Sequence, residues 1–291
     1  MAERTSSPPP QWAELQTDCL VHVFRRLELD DLASAAPLVC RGWRLAADDP
    51  SLWRALDLRH DHLARFMPWG ALAAAFARNY GVERFGLAGF LRLCVARAAG
   101  SVADLALPPL LASPPAADTE LDHVAAECPE LRRLALPKLS SADEARLPEL
   151  VPRWRRLQHL ELDSKPSSFP AVAAQLALHC PDLAVLKITS GSIKPEDAAA
   201  MAASLPRLRS LCLDRSYLPR QELLDILAGC TELRELTARS CVGFDDKDEE
   251  VLRRGARIER FDIGGSRLLD EPDDEATSGD DYCDSSYVDV I

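Results

Sequence analysis

The stretch LQHLEL, at positions 157–162, sets a pattern that recurs along most of the chain. Each copy has apolar residues at its first, fourth and sixth positions, and successive copies begin 25 to 29 residues apart. The copies are VADLAL from position 102, LRRLAL from 131, LQHLEL from 157, LAVLKI from 183, LRSLCL from 208, LRELTA from 233 and IERFDI from 258. Seven copies at nearly constant spacing indicate a structural repeat.

Each copy predicts a short strand, because its last residues alternate between apolar and other side chains. The sequence between copies has helical spacing, since Val172, Leu176 and Cys180 recur every four residues. A unit of one strand and one helix cannot bury its own apolar face, so neighbouring units must stack. The pattern resembles the leucine-rich repeat over residues 101–268, most closely its cysteine-containing and plant-type members. That resemblance implies an α/β fold, a curved solenoid with a parallel sheet on its concave side and helices outside.

Three of the nine cysteines follow the repeat. Cys128, Cys180 and Cys230 lie 52 and 50 residues apart, which is close to two repeat lengths. We expect each of them in the last turn of a repeat helix, with its side chain facing the core. A metal or redox site is disfavoured, because metal ligands must converge within a few ångströms. The odd number of cysteines and the absence of Cys-x-x-Cys favour reduced thiols.

Alternation along each strand also predicts which residues line the concave side. In every copy the fourth and sixth positions face the core, and the third and fifth face outward. We expect the outward residues to bind a target protein; the alternative is an ordinary solvated face. The predicted target-binding residues are Arg133, His159, Glu161, Val185, Lys187, Ser210, Cys212, Glu235, Thr237, Arg260 and Asp262.

Residues 12–58 contain a second motif that does not repeat. Its features are, in chain order, DCLVHVFRRL from position 18, DDL from 30, LVCRGW from 38 and DPSLW from 49. This order resembles the F-box, a three-helix interaction module. The resemblance implies that the module binds a Skp-type adaptor, which connects it to the cullin and RING subunits of a ubiquitin ligase. One departure is Gln16, which follows Leu15 where the family usually has proline; its effect on docking stays open.

The apolar residues of this module are the candidates for adaptor binding. Leu20, Phe24 and Leu27 belong to one stripe at helical spacing, and a short three-helix unit depends on what packs against it. We expect Trp43 to lie partly in the core and partly near the adaptor, whereas Trp53 mainly fills the core. The candidates are Trp12, Leu15, Leu20, Val23, Phe24, Leu27, Leu32, Leu38, Val39, Cys40 and Trp43.

The rest of the chain divides around these two units. Residues 1–11 predict a disordered leader, and residues 59–100 predict a helical connector that caps the solenoid. Within the connector, VERFGL from position 82 also fits the repeat pattern and is an alternative first repeat. Residues 108–115 form a short insertion that accounts for the one spacing of 29. The predicted domains are thus 1–11, an F-box at 12–58, the connector at 59–100, repeats at 101–268 and a tail at 269–291.

The acidity of the chain is concentrated in its tail. The formal net charge is −12, and residues 270–291 hold nine Asp and Glu with no Lys or Arg, which leaves −12 + 9 = −3 for the rest. A nearly neutral body has no basic field for phosphates, so we do not expect a nucleic-acid partner. No apolar run has the length of about 20 residues that a membrane helix needs, and no signal peptide is evident. We expect disorder in the tail and a location in the nucleus or cytoplasm.

Together the two resemblances imply a substrate-recognition subunit of a Skp–cullin–F-box ubiquitin ligase. The F-box would dock the adaptor, and the repeats would hold the target. The alternative is a repeat protein that binds a partner without any ligase role. We expect no catalytic residues, metal or cofactor, because none of the common catalytic motifs occurs in the sequence.

Overall fold

The computed structural model describes residue 12 and residues 15–59, 71–83, 85–108 and 120–268. The predicted leader, most of the insertion at 108–115 and the acidic tail lie outside the described residues.

Four short helices form the N-terminal module. They are α1 (Thr17–Phe24), α2 (Leu29–Ser34), α3 (Ala36–Val39) and α4 (Arg41–Ala47), followed by a 3-10 turn at Pro50–Trp53. The sequence predicted three helices. The count differs because Cys40 adopts an extended backbone (φ −162°, ψ 176°), which separates α3 from α4. The module therefore turns sharply at Cys40, between two helices that pack against each other.

Eight parallel strands form one sheet behind this module, and they lie in chain order. The strands are β1 (Ala55–Asp57), β2 (Asp104–Ala106), β3 (Arg133–Leu136), β4 (His159–Leu162), β5 (Val185–Ile188), β7 (Ser210–Cys212), β9 (Glu235–Thr237) and β10 (Arg260–Asp262). A second parallel pair, β6 (Gly191–Ser192) and β8 (Ser216–Tyr217), follows two of these strands. A sheet in which every neighbour is the next repeat is the arrangement of a solenoid.

Helices connect the successive strands. They are α5 (Ala71–Tyr80), α6 (Leu87–Ala98), α7 (Glu120–Glu127), α8 (Ser141–Leu150), α9 (Phe169–His179), α10 (Pro195–Ser204), α11 (Arg220–Gly229) and α12 (Glu249–Gly255). Neighbouring repeat helices pack side by side, as α9 does against α10 and α10 against α11. The predicted fold class, an α/β solenoid after a small helical module, is thereby confirmed. No helix in the described ranges is long and apolar enough to cross a membrane.

The core is organised by a ladder of leucines at the middle of each strand. The residues in direct register are Leu56, Leu105, Leu134, Leu160, Leu186, Leu211 and Leu236, and Phe261 ends the row. All seven leucines are buried. Each buried leucine contributes about 1.5–3 kcal/mol relative to an exposed one, so the ladder is a main source of stability.

The first strand was missed by the sequence pattern, although it fits. WRALDL, at positions 53–58, has apolar residues at its first, fourth and sixth positions. Its central residues form β1 and pair with β2, so Trp53 and Leu56 occupy the places that Val102 and Leu105 occupy in the next strand. It was overlooked because it overlaps the end of the F-box-like motif.

The alternative first repeat, VERFGL, is wrong as a strand. Its described residues Val82, Glu83, Phe85 and Gly86 form a turn and an irregular segment, and Leu87 already begins α6. Both described helices of the connector, α5 and α6, pack on the module or on the turn that ends it. The connector is therefore helical where it is described, without a strand of its own there.

The three regularly spaced cysteines are buried, as predicted. Two of their thiols donate to main-chain carbonyls of the preceding repeat, Cys180 Sγ to Trp154 at 3.3 Å and Cys230 Sγ to Met201 at 3.7 Å. Burial raises the pKa of Cys128 to about 12 and the pKa of Cys180 and Cys230 to about 11. Protonated thiols of this kind are inert core residues.

One helix end suggests a stabilising substitution. Ala99 ends α6 in the left-handed conformation (φ 48°, ψ 47°), which is strained for every residue with a Cβ. We expect Ala99→Gly to raise the free energy of unfolding by about 0.5–1 kcal/mol, because glycine adopts this conformation without strain. Urea unfolding at pH 7 measures the change.

The matched control lies in the same helix. Ala96 is exposed within α6 and has no left-handed backbone, so Ala96→Gly should instead lower the free energy of unfolding, by about 0.5–1 kcal/mol. If Ala99→Gly lowers the free energy of unfolding as much as Ala96→Gly does, the left-handed backbone at Ala99 does not strain the folded protein.

Candidate functional site

The N-terminal module presents an unusual number of exposed apolar side chains. Among the described residues, twelve large hydrophobic residues are exposed, and seven of them lie between positions 12 and 45. The seven are Trp12, Leu15, Val23, Leu27, Leu38, Val39 and Leu45. Isolated exposed apolar residues are ordinary, but such a concentration on one small module marks an interaction surface. We refer to these seven residues as the apolar surface.

Two residues predicted to bind the adaptor, Trp43 and Cys40, are neither fully buried nor fully exposed. The Trp43 indole packs edge-on against Phe24 with ring centroids 5.0 Å apart, and it is partly buried. Its Nε1 donates to the Trp12 carbonyl at 3.2 Å, which brings residue 12 beside α4. Cys40 is half-buried at the turn between α3 and α4. Trp43 therefore lies between the core and the apolar surface, where the sequence placed it.

Three of the predicted adaptor contacts are core residues instead. Leu20, Phe24 and Leu32 are almost completely buried, so none of them offers a surface to a partner. They pack inward because a four-helix unit this short depends on a few large apolar side chains for its own core. A charge at Leu20 or Phe24 would unfold the module whether or not it binds anything, so neither position can test docking.

Leu45 is the member of the apolar surface that the sequence analysis missed. Its side chain is 68% exposed, whereas the next two residues in α4, Ala46 and Ala47, are buried. The sequence could have revealed Leu45, because this leucine and the two alanines that follow it lie on different faces of the predicted helix. Together with Val39 it shows that the segment on both sides of Cys40 is a principal part of the surface.

The module is joined firmly to the solenoid. Trp53 is fully buried and its Nε1 donates to the Ala47 carbonyl at 2.8 Å. Arg97 of α6 stacks over the Trp53 ring at 4.9 Å and forms an ion pair with Asp48 at 3.2 Å. Arg97 also donates to the Tyr80 hydroxyl at 3.1 Å, and that hydroxyl donates to the Ala33 carbonyl. Trp53 thus fills the core, as expected, and it does so at the junction.

The concave side of the sheet carries two rows of side chains in direct register. One row contains Asp104, Arg133, His159, Val185, Ser210, Glu235 and Arg260. The other contains Ala106, Ala135, Glu161, Lys187, Cys212, Thr237 and Asp262. Every predicted target-binding residue lies in one of these rows. All are at least partly exposed except Glu161, which is 5% exposed.

An ion-pair network surrounds Glu161. Its carboxylate accepts a hydrogen bond from the Lys187 Nζ at 2.7 Å, and it lies 3.3 Å from an Arg59 nitrogen and 3.9 Å from an Arg133 nitrogen. Arg59 follows β1, whereas Glu161 is in β4, so the arginine side chain spans two intervening strands. Alanine at positions 106 and 135 leaves room for it. Arg59 was missed because only the register of the folded sheet brings it to Glu161.

The network fixes the charge states of its members. Burial alone would raise the pKa of Glu161, but the hydrogen bond and charge of Lys187, together with the charge of Arg59, outweigh it and lower the pKa. Burial and the charge of Arg133 lower the pKa of His159, so its imidazole is neutral at pH 7. In this half of the concave side the carboxylate of Glu161 is therefore paired with cations, and His159 is neutral, at pH 7.

The other half of the concave side has its own pairs. Arg260 lies 3.0 Å from Glu235, which also accepts a hydrogen bond from Ser210 at 3.0 Å. Arg239 pairs with Asp214 at 3.1 Å and approaches Asp262 at 3.9 Å. Between the two networks lie the small neutral side chains of Val185, Cys212 and Thr237. The described residues contain no cluster of three or more His, Cys, Asp or Glu that could hold a metal ion.

The Glu161 network predicts a pH-dependent contribution to stability. We expect Glu161→Gln to lower the free energy of unfolding at pH 7 by about 1–3 kcal/mol, because the cations lose their ionised partner. The folded pKa is lower than the usual 4.5, so the stabilisation is complete above pH 4.5 and is lost as the pH falls through the folded pKa. Urea unfolding of both proteins at pH 7, 4 and 3 should show the difference shrinking.

The control for this prediction is Glu196→Gln. Glu196 is exposed and lies 3.8 Å from the equally exposed Lys194, so its removal should change stability by less than about 0.5 kcal/mol. A wild-type advantage over Glu161→Gln that is the same at pH 7 and pH 3 would contradict the electrostatic explanation.

Comparisons with known proteins agree with this geometry. Residues 12–59 match the family described as F-box-like, and residues 145–246 match a family described as "FBD-associated F-box protein At5g56370, LRR repeats". Similar relatives come from Arabidopsis thaliana. An F-box/LRR-repeat protein is 26% identical over 264 residues, which cover 86% of this chain and 83% of the relative.

Two further relatives extend the likeness over nearly whole lengths. Putative F-box/LRR-repeat protein 9 of Arabidopsis thaliana is 26% identical over 84% of this chain and 97% of its own length. F-box protein SKIP19 of the same organism is 26% identical over 97% of this chain and 94% of its own length. In its F-box-like helices, which lead directly into a parallel repeat sheet, the chain is similar to plant F-box proteins that carry leucine-rich repeats.

Proposed function

We propose that the protein is the substrate-recognition subunit of a Skp–cullin–F-box ubiquitin ligase. The observation that carries this proposal is the apolar surface, which concentrates seven of the twelve exposed large hydrophobic residues of the described chain on the F-box-like module. Covering water-exposed apolar area with a partner is favourable, so such a surface stabilises a complex. The Skp-type adaptor is the partner that an F-box implies, and through it the cullin and RING subunits.

The concave side of the repeats is the proposed site for the target protein. Its two rows present fixed charges at both ends and small neutral side chains in the middle, which is a chemically varied surface suited to recognition of another protein. The charges are already paired within the sheet, so a target would meet them in defined positions. The protein's own role is then binding, and ubiquitin transfer is the work of an enzyme that the complex brings close.

The buried, protonated thiols support the proposal that the protein functions in a reducing compartment. Cys94, Cys128, Cys180, Cys230 and Cys241 are all buried as free thiols. Since disulfides are rare where glutathione keeps thiols reduced, we propose the nucleus or cytoplasm. Fluorescent tagging of the chain in plant cells tests this proposal.

Binding of a purified Skp-type adaptor, measured by calorimetry, tests the docking step. We expect Val39→Asp plus Leu45→Asp to weaken binding at least about 30-fold, because each carboxylate would lose water at the interface without gaining a partner. Both side chains are exposed in the free protein, so the double variant should keep its fold. Circular dichroism and the unfolding midpoint confirm that point.

The matched control is Leu178→Asp plus Leu252→Asp. These leucines are exposed on α9 and α12 of the repeats, away from the module, and their change should leave the affinity for the adaptor within about twofold. If the wild-type chain does not bind the adaptor, the ligase assignment fails. The protein would then be a repeat-based partner-binding protein without a ligase role.

A further inference from the structure

A row of arginines lies along the edge of the sheet where the strands begin. Arg207 and Arg209 precede β7, Arg234 precedes β9, and Arg257 lies ahead of β10. All four are exposed. We call these four residues the arginine edge.

Backbone pairing brings two of these arginines, Arg209 and Arg234, together. The Arg234 amide donates to the Arg209 carbonyl at 2.9 Å, so the two residues occupy adjacent rungs of the sheet, about 5 Å apart. Like charges on adjacent rungs destabilise a sheet unless something compensates them. The two positions therefore present a concentration of positive charge at a small cost to the fold.

Hydrogen bonds hold the Arg257 side chain beside the same two residues, Arg209 and Arg234. Its guanidinium donates to the carbonyls of Thr231 and Cys230, each at 3.0 Å, and to that of Leu227 at 2.5 Å. These contacts satisfy the C-terminal end of α11 and fix the arginine without neutralising it. An open cavity of about 410 Å³ results, lined by Arg209, Thr231, Glu232, Leu233, Arg234 and Arg257.

The acidic side chains near this edge do not cancel it. Glu232 lines the cavity, and Glu259 lies 4.0 Å from Arg234 with both groups largely exposed. The three arginines of the cavity and the two glutamates give 3 − 2 = +1, and further carboxylates would be accommodated there. The edge is therefore a locally basic site, whereas the acidity of the chain is concentrated in residues 270–291.

The chain itself contains a ligand of matching chemistry. Residues 270–291 hold nine Asp and Glu and no Lys or Arg, and they follow directly on the repeat that contains Arg257. The twelve residues from Arg257 to Leu268 span at most about 40 Å, whereas the 23 residues after Leu268 reach up to about 76 Å, so the tail can return to the edge. A tethered segment of this length is present at an effective concentration of the order of millimolar. It would thus occupy the edge ahead of free ligands.

We propose that the acidic C-terminal segment, residues 270–291, binds in cis to the arginine edge of the last three repeats. Carboxylates of the segment pair with Arg209 and Arg234 and offset the repulsion between them. The segment thereby screens the edge, and an external acidic molecule reaches these arginines only by displacing it. Binding is electrostatic, so it weakens as salt is added.

The test uses full-length proteins and a fluorescein-labelled peptide of residues 270–284 in which Cys283 is replaced by serine. Fluorescence anisotropy at low salt measures peptide binding to the wild-type chain and to a chain in which all nine tail carboxylates are amides. The tail-neutral chain should bind the peptide at least tenfold more tightly than wild type, because its edge is uncovered. Adding salt should weaken that binding.

Arginine variants of the tail-neutral chain locate the site. Arg209→Glu plus Arg234→Glu should abolish peptide binding, and Arg209→Gln plus Arg234→Gln should weaken it at least fivefold with less change to the fold. The matched control is Arg153→Glu plus Arg155→Glu, two exposed arginines ahead of β4, which should leave the affinity within about threefold. Circular dichroism verifies that every variant is folded.

Three outcomes would overturn the proposal. The first is no binding of the peptide to the tail-neutral chain, and the second is binding that does not depend on Arg209 and Arg234. The third outcome is equal binding to wild-type and tail-neutral chains that is lost on arginine reversal, which would assign the edge to an external acidic peptide. The experiment contains no adaptor, so its result is independent of the ligase assignment.

Discussion

Parallel pairing of the leucine ladder is the constraint on which the rest of the structure depends. Each central leucine must meet the next one in register, so the repeat length fixes where every other residue of the strand lies. A shift of one residue would turn the leucines to the concave side and bring charged residues such as Glu161 and Lys187 into the core. The two outward rows, the Glu161 network and the spacing of the arginines all follow from this single alignment.

The repeat was predictable from the sequence because each further copy of the pattern strengthens the evidence from the others. Seven similar segments agree with one another, and the alternation within each one assigns inward and outward faces without knowledge of the partner strand. The eighth segment, beginning at Trp53, escaped notice because it is part of two patterns at once. Its tryptophan completes the F-box-like motif and also begins the first repeat.

The N-terminal surface was less predictable, for a physical reason. Helices of four to eight residues offer only one or two positions per face, so an apolar stripe does not reveal which side meets the core. Leu20 and Phe24 were therefore assigned to a partner although they support the module, and Leu45 was overlooked. Arg59 required still more information, because its contact with Glu161 crosses strands that are distant in sequence.

The first strand also makes the two modules mutually dependent in a way that bears on stability in solution. Since β1 comes directly after the Pro50–Trp53 turn, removal of residues 12–58 would take β1 away with the helices and uncover the backbone amides and carbonyls along one side of β2. An uncovered parallel edge invites pairing with a second chain and aggregation. In the intact protein that edge is satisfied by a strand of only three residues, too short to be a good template itself. The segment that recruits a partner thus also protects the repeats from uncontrolled self-association.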